Sequence, residues 1–227
     1  MTNDVMNRLD AASALKWLRA KIRLRAGRTL VGVDGVDGAG KTTFADELAD
    51  LLRESGLTVI RISMDHYLNP QSKRYAQGRA SAKGYFEDSY NYERFSNEVL
   101  EPLGHGGSGR YRTAAYDLDS ESEVKSPWRI APDDAVVIID GMFIHRDELC
   151  SSRNKKVWDL SVWLEVPFTE SFHRMAEREE KITTADPEDP ANARYYQGQL
   201  IYLQSCDPAH RADLVVENAA PHEPVID

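Results

Sequence analysis

Residues 31–44, VGVDGVDGAGKTTF, constrain this chain more than any other stretch, because four glycines and a lysine follow directly on a short apolar run. Gly35, Gly40, Lys41 and Thr42 satisfy the pattern G-x-x-x-x-G-K-[ST]. Small residues let successive backbone N–H groups converge on one concavity, and the positive end of a following helix adds to their field. Such a loop holds phosphate. Gly35, Asp37, Gly38, Ala39, Gly40, Lys41, Thr42 and Thr43 are therefore read as the nucleotide cradle. Lys41 is expected to reach the β and γ phosphates as a point charge, and the Thr42 hydroxyl to ligate Mg²⁺, so ATP and Mg²⁺ are the expected cofactors.

The flanks fit that reading. Residues 29–33 (TLVGV) form a short buried strand, residues 41–55 carry helical apolar spacing at Phe44, Leu48, Leu51 and Leu52, and residues 57–62 (LTVIRI) make a second strand. One βαβ unit implies a parallel sheet with a right-handed crossover. Further apolar runs at residues 136–140 (VVIID), 160–166 (LSVWLEV) and 214–216 (LVV) complete the pattern. The expected fold is α/β: a P-loop NTPase three-layer α/β/α sandwich with a five-stranded parallel sheet. Helical spacing over residues 168–180 and 194–205, interrupted by two prolines in TTADPEDPANA, predicts a small helical lid over about 174–200. The whole chain, residues 1–227, reads as one domain whose amphipathic N-terminal segment packs across the sheet.

Charge narrows the partners. The formal net charge is 28 − 37 = −9 and no basic block occurs, which excludes a nucleic-acid polymer as the expected partner. Cys150 and Cys206 lack CxxC spacing, as expected for reduced thiols. Without a signal-like apolar stretch or a membrane-spanning run, the expected location is the cytoplasm. A homo-oligomer is compatible with the sequence but not required by it.

The second strand ends ISMDHY, which puts Asp65 at the carboxyl edge of the sheet, where α/β proteins bind ligands. A carboxylate beside the γ-phosphate is placed to accept the proton of an attacking hydroxyl; a helix cap is the structural alternative. Asp140, at the end of VVIID, is read as the acid on the Mg²⁺ side, with the same alternative. Arg174 and Arg178 share one helix face ahead of the prolines and are candidates to neutralise the transferring phosphate.

These residues carry a resemblance to the uridine kinase and phosphoribulokinase group of P-loop kinases. Its carriers are GVDGAGKTT, SMDHY, RYRTAAYDLD, VVIIDGMF, RMAER and RADLVVEN, in family order between about residues 28 and 218. The resemblance implies that Lys41 and Thr42 handle ATP and Mg²⁺, that Asp65 is the base, and that Asp140 is the acid near the metal. It also implies that Tyr116 lies near the substrate, and that an acid in YFEDSYNY, either Glu87 or Asp88, holds ribose hydroxyls. Nucleoside kinases of this group usually read Asp-x-Phe-Tyr where this chain has Asp65-His66-Tyr67-Leu68, so one aromatic substrate contact is moved or lost and Tyr67 is the aromatic candidate on the substrate side.

The expected activity is phosphoryl transfer from ATP to a hydroxyl of a small metabolite, with uridine or cytidine leading. Kinases of pantothenate or sugars show comparable departures after the aspartate. A thymidylate kinase-like enzyme, in which Arg146 would grip an acceptor phosphate, is one alternative. A non-catalytic nucleotide switch is the other, and no guanine-reading Asn/Thr-Lys-x-Asp tetrad occurs.

Overall fold

Six parallel strands form the central sheet in the computed structural model, which describes residues 8–152, 155–178 and 184–219. They are β1 (Arg8–Asp10), β2 (Thr29–Gly35), β3 (Val59–Ser63), β4 (Val136–Asp140), β5 (Leu160–Glu165) and β6 (Leu214–Glu217). Their spatial order is β1-β6-β5-β2-β4-β3, with every pairing parallel. The five strands expected from sequence are the inner members and the β3 edge. The sixth, β1, lies on the opposite edge and is only three residues long with both ends exposed, so it has no apolar alternation to betray it.

The longer helices among the described residues are α1 (Ala11–Ile22), α2 (Lys41–Glu54), α3 (Ala82–Asp88), α4 (Phe168–Arg178) and α5 (Ala193–Cys206). Asp10 caps α1 by accepting the Ser13 N–H at 2.9 Å, and Ala11, Ala14, Leu15, Leu18 and Ile22 form its buried stripe. That stripe packs against α2 and the β1–β6 edge. β2 is buried along its whole length, as expected for a strand covered on both faces.

The segment expected as a lid divides. Residues 179–183 lie outside the described residues. From Ala193 onward the range is α5, which runs tightly along α3: a Cβ on Gly198 would come within 2.7 Å of the Tyr85 ring and 2.9 Å of the Ala82 carbonyl oxygen. Between β3 and β4 the chain makes short helical turns and two small ladders, Arg110–Tyr111 with Arg129–Ile130 and Tyr116–Asp117 with Ser122–Glu123. Cys150 and Cys206 are both free thiols. Among the described residues, no helix is long and apolar enough to cross a membrane.

Candidate active site

The loop from Gly35 to Gly40 leaves β2 and enters α2 through two left-handed glycines, Gly38 at φ 68° and Gly40 at φ 86°. A Cβ on Gly38 would lie 2.5 Å from the Ser171 carbonyl oxygen, so neither backbone angle nor space admits another residue there. Gly40 caps α2 without any side-chain hydrogen bond, which leaves the first N–H groups of this fourteen-residue helix to an anion.

Side chains from three directions hold the loop. Gln199 on α5 accepts the Asp37 N–H at 2.7 Å, Ser171 on α4 donates to the Asp37 carbonyl at 2.5 Å, and Asn218 donates to the Ala39 carbonyl at 2.8 Å. The Asp37 carboxylate accepts the Tyr85 hydroxyl at 2.6 Å and thus turns toward α3. Lys41 donates to the Val36 carbonyl at 2.9 Å, which curls its ammonium back over the loop. Neither Ser171 nor Gln199 stands in a pattern that sequence reading could single out, and Asn218 closes the RADLVVEN stretch without any sign there that its amide reaches the phosphate loop.

Beneath the loop lies a buried polar cluster. Asp34, fully buried, accepts from the Gly35 N–H at 2.8 Å, from His145 Nδ1 at 2.7 Å and from the Tyr202 hydroxyl. The His145 N–H donates to the same carboxylate at 3.3 Å. Burial, then the Asp34 charge, raises the Tyr202 pKa well above its ordinary value, so the phenol remains a donor. A buried carboxylate is tolerated because these donors replace its water.

Three neighbouring strand ends carry the candidate chemistry, since β4 lies between β2 and β3. Thr42, at the start of α2, donates its hydroxyl to Asp140 at 2.8 Å, and Asp140 at the end of β4 is almost wholly buried. This oxygen pair suits a hard cation, with the carboxylate within reach through water. Arg61 on β3 donates to the other Asp140 oxygen at 3.1 Å. Asp65 follows β3, is exposed, and accepts the Tyr90 hydroxyl at 2.8 Å. Among the described residues, no cluster of His, Cys, Asp and Glu could hold a metal by itself.

Tyr85 and Tyr90 share one aromatic platform. Both pack edge-on against Phe143, with centroids 5.6 and 6.3 Å away, and Phe143 is fully buried at φ 64°. A left-handed aromatic residue costs on the order of 1–3 kcal/mol, which the ring's contacts with Tyr85, Phe86, Tyr90 and Tyr202 must offset. Burial raises the pKa of both tyrosines well above the ordinary phenol value, reinforced for Tyr85 mainly by Asp37 and for Tyr90 mainly by Asp65. Both therefore stay protonated and donate.

The other candidates have separate surroundings. Glu87 and Asp88 share Gln77, whose amide donates to them at 3.0 and 2.8 Å, and Glu87 also pairs with Lys83. Tyr67 is fully buried, edge-on to Phe95, with its hydroxyl on the Arg112 carbonyl at 3.0 Å. Tyr116 donates to Glu121 at 2.6 Å. Arg174 binds Glu170 at 2.7 Å and donates to the carbonyls of Asn218 and Ala219 at 2.9 and 3.0 Å. Arg178 closes α4. Arg146 donates to the Phe86 carbonyl at 2.6 Å, pairs with Glu148 at 3.1 Å and lies over the rings of Phe86 and Tyr92.

Comparison with known proteins fits this arrangement. The model of the phosphoribulokinase / uridine kinase family matches residues 30–189. A uridine kinase of Leuconostoc citreum is 27% identical over 150 residues, covering 66% of this chain and 68% of that one. A thymidylate kinase of Xanthomonas campestris is 37% identical over 62 residues, 27% of each chain. A solved structure described as a possible uridine kinase from Bacillus stearothermophilus superposes with a TM-score of 0.69 at 24% identity, covering 91% of this chain and 98% of its own.

Proposed function

The chain belongs to the phosphoribulokinase / uridine kinase family, and from that premise we propose that it transfers the γ-phosphoryl group of ATP to a hydroxyl of a small metabolite, uridine or cytidine first among them. The observation that carries this reading is the Asp65–Tyr90 pair at the exit of β3, separated by a single strand from the phosphate loop of β2.

In this reading the acceptor hydroxyl gives its proton to Asp65 as its oxygen attacks the γ-phosphorus. Tyr90, held protonated by burial, donates to one carboxylate oxygen and fixes the direction of the other. Lys41 and the N–H groups at the start of α2 hold the phosphates, and Thr42 with Asp140 would hold Mg²⁺. When bound, Mg²⁺ neutralises charge developing on the phosphoryl oxygens. Arg174 and Arg178 are proposed to flank the phosphates from α4, and Glu87 or Asp88, with Tyr116, to contact the acceptor. Tyr67, with its hydroxyl on a core carbonyl, would act by shaping the wall behind Asp65.

A phosphate acceptor fits less well. Arg146, the residue available to grip one, is almost wholly buried and already spans the Phe86 carbonyl, Glu148 and two rings. Freeing it would take the donor from the Phe86 carbonyl and break both ring contacts, while its ionic partner Glu148 is already exposed.

The test is ADP release from Mg·ATP in the presence of uridine, cytidine, other nucleosides, UMP, dTMP, pantothenate and simple sugars. Acceleration by uridine or cytidine, lost in Asp65→Asn, supports the proposal. Acceleration by a monophosphate alone, or by nothing in the panel, overturns it.

A further inference from the structure

Arg61 belongs to none of the motifs, yet it joins three parts of the site. It stands on β3 opposite Ile138, two residues before Ser63, which is opposite Asp140. Its Nη1 donates to Asp140 Oδ1 and to the Ile138 carbonyl, both at 3.1 Å. Its Nε donates to Asp46 at 2.8 Å, one helical turn beyond Thr42 on α2. The other Asp140 oxygen accepts the Thr42 hydroxyl at 2.8 Å.

Both oxygens of Asp140 are thus occupied, and its charge is matched by a guanidinium that is itself only 16% exposed. Asp46 is 60% exposed and largely screened by water, so it offsets little of that positive charge. An oxygen site binds a hard divalent cation in proportion to its negative charge and rigidity. At Thr42–Asp140–Arg61 the carboxylate's charge is cancelled before a cation arrives. A bound triphosphate supplies both the missing negative charge and further oxygen ligands.

We propose that Arg61 is a positioning residue that, by pairing with Asp140, suppresses divalent-cation binding at Thr42 and Asp140 until nucleotide is bound. The inference deepens the function proposed above and rests on its reading of Asp140 as the acid on the metal side. It adds a residue. Arg61 would act through Asp140, without touching the acceptor.

The test is the titration of the full chain with Mn²⁺, following free Mn²⁺ by electron paramagnetic resonance, without nucleotide and then with ADP. The wild type is expected to bind no Mn²⁺ at the site until ADP is added. Arg61→Met should gain a nucleotide-independent site, with affinity raised by at least about tenfold once the cancelling charge is gone. Arg61→Lys, which keeps the charge, should behave as the wild type. Adding Asp140→Asn to Arg61→Met should abolish the gain. Circular dichroism checks folding, and Arg61→Gln replaces the Met variant if that variant does not fold.

Equal Mn²⁺ affinity in wild type and Arg61→Met without nucleotide would overturn the inference, as would a gain that survives Asp140→Asn. The titration uses neither acceptor nor turnover. It can therefore fail while the acceptor panel succeeds, and the two failures are distinguishable.

Discussion

The Tyr90 hydroxyl donates to Asp65 Oδ1 at 2.8 Å, joining a buried ring to an exposed carboxylate. If Asp65 is the base, Asp65→Asn lowers turnover by at least about a hundredfold and leaves ATP affinity nearly intact. Tyr90→Phe removes only the orienting bond and should cost about tenfold in turnover. Steady-state kinetics with nucleotide binding by calorimetry checks both; a parallel loss of ATP affinity in Asp65→Asn would remove the residue from the role of base.

Lys41→Ala should lower turnover by at least about a hundredfold, the scale of losing a positioned charge on the transferring group. Because Lys41 already donates to the Val36 carbonyl, the loop loses a tie as well, and nucleotide affinity should fall too. The contrast with Asp65→Asn is readable in one calorimetric series.

Arg174→Ala should slow phosphoryl transfer more than it weakens ATP binding. The guanidinium also ties down the Asn218 and Ala219 carbonyls, and Asn218 braces Ala39 of the phosphate loop. Unchanged turnover would confine Arg174 to that tether.

Tyr202→Phe deletes one donor to the buried Asp34 carboxylate and should destabilise the fold by about 1–3 kcal/mol. Urea unfolding measures the loss. A midpoint equal to that of the wild type would mean that the remaining donors, His145 and the Gly35 N–H, satisfy Asp34 alone.

Burial pushes the Cys150 thiol up to about 11, against the pull of Arg211, and raises Cys206 as well. At pH 8 the thiolate fraction of Cys150 is then lower than that of a free cysteine by roughly a hundredfold. Reaction with Ellman's reagent should be correspondingly slow in the native protein and release two thiols promptly in urea. Fast native labelling would show that Cys150 is more accessible than its surroundings imply.

Much of the fold was legible because its signals are local. The glycine loop, its following helix and the apolar run of β4 each occupy one short window, and Asp65 and Asp140 follow from where their strands end. What was not legible is lateral. Asp37 meets Gln199 across 162 residues, Asp34 meets Tyr202 across 168, and Arg61 meets Asp140 across 79. Periodicity shows which face of a helix is apolar, but not which strand end a glutamine on it will touch. α5 illustrates the limit: its apolar spacing was visible, while its packing along α3 depends on Gly198, a residue with no side chain to read.

α5 also bears on how such a protein can be re-engineered. Arg194 donates to the carbonyls of Arg74, Gly78 and Ser81 at 2.8, 3.3 and 2.9 Å, Gly198 presses on Tyr85, and Gln199 and Tyr202 reach the phosphate loop and its strand. A transplanted segment 74–88 would arrive without its counterpart on this helix, leaving Arg194 facing foreign carbonyls and Gly198 facing a foreign side chain. The unit of exchange between relatives is therefore two pieces far apart in the gene, residues 74–88 together with 193–206, recombined as a pair.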